Sequence, residues 1–157
     1  SSMITGSILA KYEAAFAVIP LLVTFIPMLT DTGGNAGSQS STMIIRGMAV
    51  GEIEAGDILR VLWKELRVGV IVGVLLGLVN YIQLVIRFPG QEMLCLTVVL
   101  SLLATVMLAK TIGCVLPIAA QVLHLDPAIM AAPLITTIVD AVSLIIYFQL
   151  ACSLLKI

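Results

Sequence analysis

The chain has 157 residues, of which 61% are hydrophobic and only 11% charged, with a mean hydropathy of +1.19. Soluble domains average about 45–50% apolar and about 25% charged residues, so eight basic and nine acidic side chains are too few to cover a water-soluble globule of this length. The net charge of −1 offers no basic field for nucleic acid, and what remains is an all-α polytopic membrane protein.

The charges are clustered, and the gaps between them mark the spans. Ser1 to Ala10 is apolar but shorter than the roughly 20 residues a helix needs to cross hydrocarbon. It reads as the end of a first helix (1–10) whose start lies upstream, so the chain is expected to be a fragment of a longer protein. A second, long segment (12–46) holds Asp31 as its one charge between Ala14 and Ile45, together with Pro20, Pro27, Gly33, Gly34 and Gly37. Proline and glycine free backbone groups that must be re-satisfied by protein or by a water-filled cavity, so this helix is predicted to be bent or interrupted.

Eight charges follow between Arg46 and Arg67, among them four of the eight basic residues. This stretch predicts a water-facing connection with its own amphipathic helix around 55–66. The positive-inside rule puts it in the cytoplasm. A third helix (66–87) contains 19 uncharged residues from Val68 to Ile86; in a fourth (92–120) Lys110 is the one charge between Met93 and Leu123, and in a fifth (127–156) Asp140 is the one charge between Pro127 and Leu155. Asp126-Pro127 fits a helix start, with Asp as N-cap and Pro at the first helical position. Alternation then places the 87–92 loop outside, the 120–127 loop inside and the C-terminus outside. Cys95, Cys114 and Cys152 lie in apolar runs without CxxC spacing and read as packing residues. His124 stands at a helix–loop junction and reads as an interface residue.

Asp140 is the informative residue. It lies 13 residues past Pro127, about 20 Å along a helix at 1.5 Å per residue. An ionisable group that deep faces a cavity, a partner or an ion. Thr136 and Thr137 precede it by one turn, Pro133 by two, and Ser143 follows at i+3, so these residues share its face. Pro133 cannot donate to the carbonyl of Ile129. One carboxylate, hydroxyls and a carbonyl are hard oxygens, suited to Mg²⁺ or Ca²⁺ rather than a soft metal. The plain structural reading is an ion pair between Asp140 and Lys110. The second polar feature is Pro27–Gly47. Gly33, Gly34 and Gly37 permit close approach or an unwound turn, and Asn35, Gln39, Thr42 and Arg46 make a stripe that must face the bundle interior. Walker, dinucleotide-binding, GxSxG and HExxH patterns are all absent from the sequence, and no nucleophile–base pair accompanies Asp140, so no enzyme is expected.

The block DTGGNAGSQSSTMIIRGMAVGEI, then KEL with a glycine three residues after Leu66, GxxxP at Gly113–Pro117, DPA, and PLITTIVDAVSLIIYF closely resemble the transmembrane domain of the MgtE magnesium channels. The resemblance runs from about Tyr12 to Leu155. It implies a homodimer in the inner membrane of a bacterium, a helical bundle of about five transmembrane helices per subunit with the first truncated here, and a pore on the two-fold axis. It also implies Mg²⁺ as ligand and transported ion, and no organic cofactor. Cytoplasmic CBS-type regulatory domains usually precede this region in the family and are not in this chain. Carried over by position, the acidic ion-site residue is Asp140, with Thr136 one turn earlier contributing backbone. A further turn back is Ala132, where some members carry Asn, so its carbonyl is the contact left there; Thr137 joins this ligand set. Gly33, Gly34, Asn35, Gln39 and Pro133 are expected to line or shape the pore. Glu52 and Glu65 are candidate acids at the cytoplasmic mouth. Asp31 and Lys110 are expected to pair with each other, leaving Asp140 for the ion. The function implied is a channel passing hydrated Mg²⁺ down its gradient; the alternative is a coupled divalent-cation carrier or exchanger.

Overall fold

The computed structural model describes residues 2–156, and of residues 2, 14–16 and 129–132 the backbone only. The described residues are helical and form no strand. The chain opens with α1 (Ser2–Lys11) and α2 (Glu13–Val18), followed by a 3₁₀ turn at Pro20–Phe25 and then α3 (Ile26–Ala49). The break in the long second segment therefore falls at Pro20, which lacks an N–H and has a fixed φ. Pro27 stands in the first turn of α3, where the missing donor costs nothing. Gly33, Gly34 and Gly37 sit inside unbroken helix, so they serve close approach and not an unwound turn.

A short connection ends in a capping box. The Glu54 N–H donates to Asp57 Oδ2 at 3.1 Å, and the Glu54 side chain accepts in return. Then α4 runs without interruption from Ile58 to Arg87. The separate amphipathic helix expected around 55–66 and the third span are thus one 30-residue rod. Arg60, Lys64, Glu65 and Arg67 are good helix formers, and no proline lies between 58 and 87 to stop the helix. Turns at Gly51 and Gly90, both with positive φ (74° and 83°), a region glycine enters without steric penalty, lead into α4 and out of it. Beyond Gly90 come α5 (Glu92–Val122) and α6 (Pro127–Leu155). Asp126 caps α6 as its sequence predicts, with Oδ1 accepting from the N–H of Ala128 at 2.9 Å.

The central element is α5, which packs against α3, α4 and α6, while α3 also packs on α6. Gly69, Gly73 and Gly77 form a stripe on α4 that meets Lys110, Leu103 and Val99 of α5. The other face of α4 exposes Ile71, Leu75, Leu78, Val79, Ile82 and Ile86, an apolar surface suited to lipid. Three stretches are long and apolar enough to cross a membrane: Ala55–Arg87, Glu92–Val122 and Pro133–Leu155. At 24 residues α3 has the length, about 36 Å, but carries Asp31, Asn35, Ser38, Gln39, Ser40, Ser41 and Thr42; it is sheltered by α5 and α6. One end of the bundle is closed by Leu22, Phe25, Leu29, Tyr147 and Phe148. There the Tyr147 hydroxyl donates to the Leu22 carbonyl at 2.9 Å and the Tyr12 ring stacks on Phe148 at 4.9 Å, fixing the 3₁₀ turn to α6.

Candidate cation site

Helical periodicity gives α3 two different faces. Gly33, Gly37, Ser40 and Ile44 are buried. Pro27, Thr30, Asp31, Gly34, Asn35 and Ser38 recur at three- and four-residue intervals and line a groove of about 430 Å³, completed from α6 by Thr136 and Asp140. A second hollow of about 320 Å³ adjoins it at Ser38 and continues past Ser41, Thr42 and Arg46 to Ala128. A trough thus follows α3 along its border with α6, polar beside Asp31 and Asp140 and largely apolar toward Ala128.

Of the expected site residues, Asp140, Thr136, Gly34 and Asn35 line one groove together with Asp31, Thr30 and Ser38. Asp140 is half-buried, and among the described residues no ion pair engages it; its backbone oxygen accepts from the Ser143 hydroxyl at 3.0 Å. Asp31 Oδ2 accepts from Asn35 Nδ2 at 3.3 Å. Thr136 and Thr137 both donate backward to the Pro133 carbonyl, at 3.1 and 2.9 Å. A hydroxyl whose proton is committed in this way meets other donors as an acceptor. At Gly34 a β-carbon would stand 3.7 Å from the Thr136 methyl, so this glycine faces α6 across the groove. Among the described residues no three His, Cys, Asp or Glu side chains converge. A cation here would meet carboxylate, hydroxyl and amide oxygens and its own waters.

Other expected site residues lie elsewhere. Gly33 is buried against Thr105 and Val139. Thr137, Pro133 and Gln39 are outside the groove lining, and the side chain of Ala132 falls outside the described residues. Glu52 is exposed on the connection. Glu65 is not a solvated mouth acid: it is 4% exposed, because continuous helix carries it two turns into α4.

Both expected partners of Lys110 are also corrected. Lys110 Nζ pairs with Glu65 Oε2 at 3.2 Å and donates to Ser40 Oγ at 3.1 Å, and Ser40 donates to the same Glu65 oxygen at 2.6 Å. Gly69 leaves space for the lysine stem, since a β-carbon there would stand 3.2 Å from Lys110 Cδ. Lys110 is therefore turned toward α4 and the back of α3, while Asp31 and Asp140 open onto the groove. Sequence reasoning missed Ser40 in this cluster. The signal was present in the deep lysine, which requires a partner, and in Gly69 one turn beyond Glu65.

Comparison with known proteins identifies the family. Residues 26–150 match the MgtE family profile, described as a divalent cation transporter. The chain is 35% identical over 156 residues to the magnesium transporter MgtE of Thermus thermophilus, covering 99% of this chain and 34% of that protein. It is 35% identical over 149 residues to the magnesium transporter MgtE of Bacillus subtilis, covering 95% and 33%. The Enterococcus faecalis protein of the same name is 29% identical over 155 residues. The chain spans about a third of the length of these relatives. By the extent of the match, and with three helices able to cross a membrane, the chain belongs to the MgtE family of divalent cation transporters.

Proposed function

We propose that this chain forms the membrane pore of a Mg²⁺ channel, with hydrated Mg²⁺ passing along the α3–α6 groove and Asp140 as its principal ligand. The observation that carries this reading is the position of Asp140: it lines the groove with Asp31, Asn35 and Thr136, and among the described residues no basic side chain pairs with it. Family membership supports Mg²⁺ as the cargo.

The chemistry follows from the ion. Mg²⁺ holds its waters tightly and demands near-octahedral geometry. Six waters occupy about 180 Å³ at about 30 Å³ each, and the groove of about 430 Å³ has room for a hydrated ion. Thr136 and the Asn35 amide oxygen serve as acceptors for the hydration shell, and Asp140 supplies the charge. The groove is open on one side, and a second copy of the chain across a two-fold axis is the occupant that closes it. Two Asp140 carboxylates then face one point. Their repulsion at low effective dielectric favours a divalent ion over a monovalent one. In this reading the 46–67 stretch is cytoplasmic, the C-terminus is outside, and the membrane is the inner membrane of a bacterium.

The test is Mg²⁺ flux into liposomes with and without an imposed potential. Potential-driven flux that Asp140→Asn abolishes supports the channel. Flux that requires a counter-ion gradient supports a coupled carrier. Equal flux in wild type and Asp140→Asn removes Asp140 from the ion path.

A further inference from the structure

Three side chains from three helices meet in the buried core behind the groove. Ser40 of α3 is fully buried, and Glu65 of α4 and Lys110 of α5 are 4% and 5% exposed. Their polar atoms form a closed triangle, with sides of 2.6, 3.1 and 3.2 Å. A buried pair of opposite charges is weak evidence for stability, because desolvation offsets attraction; well-packed apolar residues often do as well. What the triangle supplies is direction. It is satisfied in one rotational setting of α3 only.

That setting matters for the groove. At about 100° per residue, Ser40 lies about 180° around α3 from Asp31 and about 140° from Asn35. Ser40 is thus pinned on the side of α3 opposite the polar residues that face α6. One turn earlier the back of α3 is pressed on α5, where a β-carbon on Gly113 would run into the Gly37 carbonyl. The glycine contact sets how near α3 comes to α5 but holds it by shape alone. The triangle adds a directional lock at the adjacent turn.

We propose that Ser40, Glu65 and Lys110 are positioning residues for the ion path: the Glu65–Lys110 pair anchors Ser40 and so fixes the rotation at which α3 presents Asp31, Gly34, Asn35 and Ser38 to Asp140. The inference rests on the groove being the Mg²⁺ path. Ser40→Ala detaches α3 while leaving the Glu65–Lys110 pair in place, so the fold is retained. Glu65→Gln/Lys110→Met removes both charges together and leaves no unpaired ion.

Two readouts separate this proposal from the transport reading. The first is the α3–α6 distance distribution between spin labels at Met43 and Leu134, both exposed, in a Cys152→Ser background. It should be narrow in wild type and broadened or shifted in Ser40→Ala and in the double variant. The second is Mg²⁺ flux into liposomes, where both variants should raise the half-saturating Mg²⁺ concentration about tenfold, the upper range for coupling through a packed network, with the unfolding temperature close to wild type. Wild-type distances and wild-type half-saturation in Ser40→Ala overturn the proposal, as does full recovery of both in the double variant. If the wild type carries no Mg²⁺ flux, the transport reading fails, and the label distances still decide whether the triangle positions α3.

Discussion

Gly113 of α5 lies directly against the peptide carbonyl of Gly37 in α3, and a β-carbon built on Gly113 would overlap both its oxygen and its carbon. Backbone thus meets backbone at the centre of the bundle, where neither side can yield as a flexible side chain does. Gly113→Ala should destabilise the protein by about 1–3 kcal/mol or more, the cost of overpacking a well-filled core. Gly34→Ala is the contrasting case. Its β-carbon would meet the Thr136 methyl at 3.7 Å, an ordinary contact, and alanine favours helix by about 0.5–1 kcal/mol. Thermal unfolding in detergent should show the first variant lowered and the second unchanged or raised.

A second prediction concerns a hydroxyl on the same wall. Thr105 is 1% exposed, and its Oγ1 has no hydrogen-bond partner among the described residues. Its methyl side packs against Gly33. A buried polar group without a partner costs about 1–3 kcal/mol, and valine has the same shape without the polar atom. Thr105→Val should raise the unfolding temperature. A clear drop would mean that a water or another group satisfies the hydroxyl.

How far the sequence reveals this architecture depends on the residue. Asp126-Pro127 marks the start of α6 because an N-cap and a proline act locally. Asp140 can be singled out because a deep carboxylate demands an explanation whatever surrounds it, and in the structure it lines the α3–α6 groove. The partner of Lys110 is not legible in the same way. Pairing it with Asp31 or Asp140 treats charges as points along the chain, whereas the lysine stem follows the room left by Gly69, toward α4. Glu65 is misread as a mouth acid because the charged stretch is cut from the apolar span, although nothing in it interrupts a helix. The break at Pro20 lies within a region where several glycines and prolines compete. The Tyr147–Leu22 bond, 125 residues apart in sequence, is a tertiary contact that local patterns do not encode.

Glu65 and Glu52 should accordingly respond in opposite ways. Glu65→Gln leaves Lys110 as a buried charge without a counter-charge, a loss of about 3–5 kcal/mol for one partner of a buried pair. Glu52→Gln changes an exposed side chain on the connection and should stay within about 0.5 kcal/mol of wild type. Denaturation of both variants under one condition checks this. Equal stability of the two would mean that Glu65 does not carry its charge in the folded protein.

The last prediction uses the difference in exposure between the two groove carboxylates. Asp140 is half-buried and Asp31 exposed, yet both line one groove. Exposed charges are screened over about 10 Å at 0.1 M salt and about 3 Å at 1 M, and the attraction of a unit charge for a divalent ion about 8 Å away in water is about 1 kcal/mol. Asp31 should therefore act at a distance, raising the local Mg²⁺ concentration without binding the ion directly. Asp31→Asn should raise the half-saturating Mg²⁺ concentration by about fivefold at low ionic strength, which is the factor 1 kcal/mol represents. The difference from wild type should fade as an impermeant salt is added outside the liposomes. If Asp140 is the principal ligand proposed above, Asp140→Asn should abolish flux at every salt concentration, because a half-buried carboxylate is less screened than an exposed one. An Asp31→Asn defect that persists undiminished in high salt would instead put Asp31 in direct contact with the ion, and the site would then hold two carboxylates per chain.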